Sequence, residues 1–446
     1  MTKNLGFLAT IMMWSSFALA EDVAPKIDTG DTSWVLISTA LVFLMTPGLA
    51  FFYGGMVRTK NVVSTLFQNY AAIGVVGLLW AVCGYTLAFG PEGSGLLGGM
   101  KYLFLNDVGQ APNADYSATI PHALFMIFQC MFAVITPVLM TGAMGERVKF
   151  KSFLLFMGLW SLVVYSPVAH WVWGTGGFIR NMGALDFAGG MVVHMTAGFS
   201  AIVAVILLKS RHDFNKVETR PYDTGMVLLG TALLWVGWFG FNAGSALGAN
   251  GLAVQAFCTT FFASAAAFCS WALVDYFRKG KFNAMGAGVG AVAGLVTITP
   301  AAGFVGFFPA IIMGLLAGLV CNYGVSMIKE RFKLDDTLDV IGCHGIGGFL
   351  GTILTAVFAS KSVNPAGNDG LLYGNPNLIV THLISSLAVI GISVVGTFVV
   401  FKLVDAVMGM RVSLDEEKAG LDNSQHGELI NSNFEEKDAQ HLRKVG

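Results

Sequence analysis

Polar and charged positions in this chain are bunched into short stretches. Between them run apolar segments of about twenty residues, the length that crosses a bilayer as a helix. Eleven such runs follow one another, near 33–56, 62–89, 121–144, 151–168, 189–208, 222–243, 251–277, 284–300, 304–328, 341–358 and 377–404. The pattern predicts an all-α integral membrane protein with eleven transmembrane helices. An earlier apolar run is too short to join them: Lys3, then Leu5 to Met13, then Ala18-Leu19-Ala20 before Glu21 follow the three-part plan of a secretory signal. Residues 1–20 are therefore expected to be a cleaved signal peptide and 21–408 the membrane domain. Residues 409–446, rich in Asp, Glu and Lys, are expected to be a cytoplasmic tail, partly disordered on composition.

Composition agrees with this reading. Of 446 residues 55% are hydrophobic and 12% charged, against about one quarter charged in an ordinary soluble domain. A net charge of −1 and the lack of a basic stripe argue against nucleic acid as a partner. The six cysteines lie inside apolar runs without a CxxC pair and read as packing residues, not as a disulfide or metal framework. Topology follows from Lys and Arg: the loops after odd-numbered spans hold fifteen and those after even-numbered spans only Lys101, Arg180 and Lys361. Odd loops are thus expected on the cytoplasmic side, with the mature N-terminus outside and the C-terminus inside, in a plasma (inner) membrane.

Two ionisable side chains interrupt otherwise apolar spans. His194 sits in "GGMVVHMTAG", the fifth span, and His344 in "IGCHGIGG", the fifth span of a second set of five. Two five-helix repeats, near 33–208 and 222–358, followed by a final helix near 377–404, must lie upside down relative to each other. Equivalent points then meet near the bilayer centre. Intramembrane ionisable groups mark pathways, so the two imidazoles are expected to face one another in a shared lumen. His122, His170 and His382 lie at or near span ends and read as interface or packing residues. Haem ligation is the competing use of paired membrane histidines. Against it, the glycines flanking both sites, and the ladders Gly240-Gly244-Gly248 and Gly286-Gly290-Gly294, predict helices pressed together around a narrow conduit.

The motifs "PGLAFFYGGMVRTKNV", "ALDFAGGMVVHMTAG", "GWFGFNAGSA", "TPAAG", "DVIGCHGIGG" and "EKAGLDNSQHGE", in this order, resemble the Amt/Mep/Rh ammonium transporter family, its bacterial Amt branch in particular, over about residues 33–430. The resemblance implies that His194 and His344 are twin pore histidines. It implies that Phe132 closes the outer end of the pore with Phe241, and that Phe128, Phe132, Trp173 and Ser245 form an outer substrate site where aromatic rings meet a hydroxyl. Asp186 resembles the family's buried aspartate, with a structural or an electrostatic role. A homotrimer with one pore per subunit is implied, as is a cytoplasmic face open to a PII-type regulator. No cofactor, metal or enzymatic activity is expected. Pro137 departs from the family's usual pattern in the third span and is placed to kink it.

Desolvating an ammonium-sized ion costs of order 20 kcal/mol by the idealised Born estimate. Neither a TVGYG-like carbonyl filter nor a mid-span acid pair is present to offset it. The substrate is therefore expected to shed its proton at the mouth and to cross as ammonia beside two neutral imidazoles, with or without a separate proton transfer. An ammonium sensor signalling through the tail is the alternative function.

Overall fold

Residues 26–91, 93–217 and 220–430 are described by the structure, a computed structural model. Ten of their helices are long and apolar enough to cross a bilayer: α1 (Thr29–Met56), α2 (Thr59–Phe89), α3 (His122–Met144), α4 (Phe150–Asn181), α5 (Gly190–Leu208), α6 (Thr224–Gly244), α7 (Gly251–Lys279), α9 (Phe307–Arg331), α10 (Ile341–Phe358) and α11 (Asn377–Met408). The eleventh predicted span, α8 (Ala284–Ile298), has 15 residues, about 22 Å at 1.5 Å per residue. Every residue from Ala287 to Ile298 is buried in protein, so this helix has no lipid thickness to match. Together these segments form a multi-pass membrane protein. The expected signal peptide lies outside the described residues.

Polar side chains set where the helices begin. Asp28, Asp223, Asn250 and Asn283 accept N–H bonds in the first turns of α1, α6, α7 and α8, the donors a helix leaves unpaired at its start. One span is longer than expected: α4 continues past 168 to Trp173 and, after a break at 174–177, ends in a short turn at Phe178–Asn181. Pro167 does not stop it, because a π-turn at Ser161–Tyr165 precedes it and Pro167 falls in the first turn of a fresh segment, Ser166–Trp173, where its missing N–H costs little. Pro137 does mark an end: three residues on, the α-helical pattern of α3 lapses at Met140 before a last turn at Thr141–Met144.

The glycine ladders pack as expected. A Cβ on Gly240 or Gly244 would strike Ser38 of α1, and one on Gly290 or Gly294 would strike Trp271 or Ala267 of α7. Helices α5 and α10 touch in the same manner: Gly198 lies against Gly345 while Gly348 lies against His194. As one chain advances the other retreats, so the fifth helices of the two repeats run antiparallel, as the inverted architecture requires.

The loops after α1, α3, α5 and α9 gather on one face around an ion-pair network. Glu146, in the left-handed region at φ 67° and 2% exposed, accepts from the Arg58 backbone N–H and its Nε, both at 2.8 Å, and from Arg211 at 2.8 Å. Arg211 also pairs with Asp335, whose neighbourhood holds the fully buried Arg147 through its backbone carbonyl. The tail joins this face rather than being disordered from its start. Residues 414–426 form a capped helix, α12 (Leu414–Ala419), and a π-turn. Glu417 accepts from His212 and Arg411, and the Asp422 carboxylate accepts the first N–H groups of α2, from Val63 at 3.0 Å and Ser64 at 2.8 Å. Composition alone misses this because the partners on the membrane domain, His212, Val63 and Ser64, are hundreds of residues away in sequence.

Burial opposes ionisation of Glu146, but Arg211 and Arg58 more than offset it and hold its carboxyl down to about 2 from an ordinary 4.5. A depressed carboxyl stabilises the fold above its unfolded value and loses that contribution as pH falls through the folded one. Thermal unfolding of the detergent-solubilised protein should therefore weaken between about pH 4.5 and 2. A Glu146→Gln variant should be less stable at neutral pH and lose less stability than the wild type across that window; an unchanged slope in the variant would move the effect to the neighbouring depressed carboxylates Asp335 and Glu417.

Candidate functional site

Both intramembrane histidines sit on the turn that opens their span. His194 lies in a π-turn, Gly190–Met195, and His344 in another, Ile341–Ile346. Each turn is fixed from outside by a carboxylate eight residues earlier. Asp186 accepts from the backbone N–H groups of Gly189, Gly190, Met191 and Val192 at 2.6 to 3.2 Å, and Asp336 accepts from those of Val340 and Ile341 at 3.1 and 2.7 Å. Helix starts carry unpaired donors and a positive dipole end, so a carboxylate there is doubly favoured. The residue five before each histidine has positive φ, Gly189 at 118° and Asp339 at 66°. The repeated D-x7-H spacing was legible in the sequence and unused there.

These turns bring the rings together. His344 Nδ1 and His194 Nδ1 are 3.2 Å apart, with ring centroids 5.3 Å apart, and both residues are buried. One proton between two neutral rings makes that contact a hydrogen bond, and His194 Nε2 is left without a partner. The rings line an apolar cavity of about 10 Å³, room for about one water-sized molecule. A cavity of that size has no room for a haem macrocycle between the rings, so the haem alternative does not fit. Trp238, one turn before Phe241, stacks on His194 at 5.4 Å with its indole N–H held by Thr299. It was not among the expected site residues, although its i−3 spacing from Phe241 places it on the same helix face.

Above the histidines the passage is shut. The rings of Phe132 and Phe241 lie 4.2 Å apart, with Phe241 6.1 Å from His194. Beyond them a mouth cavity of about 210 Å³ opens to solvent and is lined by Trp173, Ser245, Phe125, Tyr116 and Gln129, among others. The indole of Trp173 stands edge-on to Phe132 at 5.9 Å, and its N–H is fixed on the Asp186 backbone carbonyl at 2.9 Å. Ser245 donates its hydroxyl proton to the Phe241 carbonyl at 2.8 Å, leaving its oxygen free as an acceptor.

One expected placement changes, and Asp186 takes the structural one of its two expected roles. Phe128 does not line the mouth: fully buried, it packs behind Phe132 at 5.1 Å and against Gly244. The neighbouring i, i+4 ridge of α3, Phe125 and Gln129, faces the cavity instead. Asp186, 7% exposed with four N–H partners, acts as a helix cap. Among the remaining histidines, His382 on α11 receives the N–H of Leu185 at 3.0 Å and donates to the Thr352 carbonyl at 2.7 Å. It is a packing residue, as expected, and it ties down the loop that carries Asp186. His122 and His170 are likewise buried in hydrogen bonds.

The profile of the Ammonium Transporter Family matches residues 33–430. An ammonium transporter of Bacillus subtilis is 49% identical over 399 residues, covering 90% of this chain and 98% of that protein. The ammonium transporter Amt1 of Archaeoglobus fulgidus is 44% identical over 400 residues, with coverage of 90% and 98%. Among solved structures, Mep2 of Candida albicans superposes with a TM-score of 0.83 at 36% identity, over 87% of this chain and 88% of that one.

A Cβ at Gly198 would lie 2.1 Å from the Gly345 nitrogen, so Gly198→Ala must push α5 from α10 and part the histidines. Overpacking of this kind costs typically about 1–3 kcal/mol. The thermal midpoint should fall, whereas that of Gly74→Ala, with nothing within 4 Å, should move little in the same assay.

Proposed function

The chain belongs to the ammonium transporter family and is an ammonium transporter, and from that premise we propose that it takes up ammonium at the Trp173 mouth and passes it onward as uncharged ammonia. The observation that carries this reading is the 3.2 Å Nδ1 to Nδ1 contact in a dry cavity too small for a hydrated ion. Rings at the mouth hold a cation by about 0.5 to 2 kcal/mol. The Ser245 oxygen accepts one of its N–H groups. That box concentrates ammonium without rejecting potassium.

Rejection falls to the histidines. Carrying a bare cation between them meets a desolvation cost of order 20 kcal/mol by the Born estimate, with one free ring nitrogen on His194 as recompense. Ammonium avoids that cost by giving its proton to water at the mouth; its nitrogen then crosses as ammonia, donating an N–H to the free imidazole nitrogen. Potassium has no proton to give up. The Phe132–Phe241 pair must swing aside for each passage, since no gap is open between rings 4.2 Å apart.

In the membrane we place the Trp173 mouth outside and the Arg-rich face with the docked tail in the cytoplasm of an inner-membrane protein, on the strength of the fifteen-to-three distribution of Lys and Arg between the loop sets. We assign it a homotrimeric state with one pore per subunit. The tail and Arg-rich face are the surface that a PII-type regulator would meet.

Transport by proteoliposomes tests the reading. In the double variant His194→Ala, His344→Ala, potassium should begin to carry current that the wild type refuses; equal exclusion of potassium by the variant would refute the histidine selectivity argument. Trp173→Leu should raise the half-saturating ammonium concentration about 2- to 30-fold, the loss of one cation–π partner, with potassium still excluded.

A further inference from the structure

Among the described residues, two buried side-chain atoms without a hydrogen-bond partner belong to residues lining the passage. One is His194 Nε2, already assigned. The other is Gln129 Oε1, in a side chain 9% exposed. Gln129 lies one turn beyond Phe125 on α3 and borders the mouth cavity together with Tyr116, Trp173 and Ser245. No hydrogen bond reaches it from the walls, although Arg180, whose guanidinium donates to the Trp173 carbonyl, also borders the cavity. The indole N–H of Trp173 is already spent on the Asp186 carbonyl, the Tyr116 hydroxyl on the Phe89 carbonyl and the Ser245 hydroxyl on the Phe241 carbonyl.

A buried amide carbonyl without a donor is destabilising until one arrives. A cation bearing N–H groups is such a donor, and a charged donor makes the stronger kind of hydrogen bond. The amide turns about its last torsion, which exchanges the positions of Oε1 and Nε2, so the acceptor can be presented to the cavity. We propose that the Gln129 carbonyl is a second hydrogen-bond acceptor of the mouth, taking an N–H of ammonium or a primary alkylammonium opposite the one taken by Ser245. The assignment rests on the mouth being the uptake site. It gives the site a directional component: rings attract any cation of suitable size, whereas two fixed oxygens favour one whose N–H groups diverge from a single nitrogen.

Ammonium uptake into proteoliposomes is measured for the full-length protein and for Gln129→Met, which keeps the side chain's length and loses its acceptor. The half-saturating concentration should rise about tenfold, with the maximal rate kept and the thermal midpoint in the absence of ammonium equal to or above that of the wild type. Gln129→Glu, which restores an acceptor, should return it to the wild-type value or below. A wild-type half-saturating concentration in Gln129→Met, alongside a raised one in Trp173→Leu, would overturn the role of Gln129 and leave the mouth intact. If neither Trp173→Leu nor Ser245→Ala moved it, the mouth reading itself would fall. Should the methionine variant fail to fold, Gln129→Asn, which withdraws the same amide by one methylene, is judged by the same two outcomes.

Discussion

Two imidazoles can share a proton inside a membrane only if the helices that carry them come nearly into backbone contact. Here the approach is made by glycine. Gly198 meets Gly345, and Gly348 meets the Cβ of His194, so no side chain stands between α5 and α10 where the rings project. The narrowness of the passage follows from that contact. So does its dryness, because a lumen with room for about one small molecule cannot hold the water chain that would solvate an ion. The carboxylates of Asp186 and Asp336 belong to the same constraint: each fixes the turn from which one ring is aimed, and neither lies in the lumen.

The mouth and the seal answer a different demand. A dry lumen gives no reason for a cation to come near, so attraction has to be supplied before the seal, by rings and oxygens that remain in contact with water. On the proposed reading the two tasks are separated by the thickness of the Phe132–Phe241 pair. At the other end, carboxylates and guanidinium groups from loops far apart in sequence interlock, and the tail is pinned across them by Glu417 and Asp422. One face is therefore braced while the other keeps an open cavity.

Spans, repeat and histidine pair were legible because each depends on a local pattern: apolar runs near twenty residues long, basic loops, and matched positions of a rare side chain. What escaped the sequence depends on contacts between distant segments. Polar residues 414–426 read as solvated because Asn61, Ser64 and His212, which receive them, are not neighbours in sequence. Phe128 was expected at the mouth because the family resemblance implied it, but a motif does not say which of two adjacent ridges meets a cavity. Gln129, one position along, lies on the ridge that does border the cavity. The D-x7-H repeat lay in plain sight; its meaning needed the knowledge that each histidine sits on a helix's opening turn.

The Nδ1 to Nδ1 contact carries a consequence of its own. When one ring donates through Nδ1 its Nε2 is a bare lone pair, and the other ring, which accepts, must hold its hydrogen on Nε2. The pair is thus polar from end to end, with an acceptor at one extremity and a donor at the other. Moving the central proton, together with the outer hydrogen, inverts that sense. Which way the pair points is thus set by where its two hydrogens sit and not by the backbone alone.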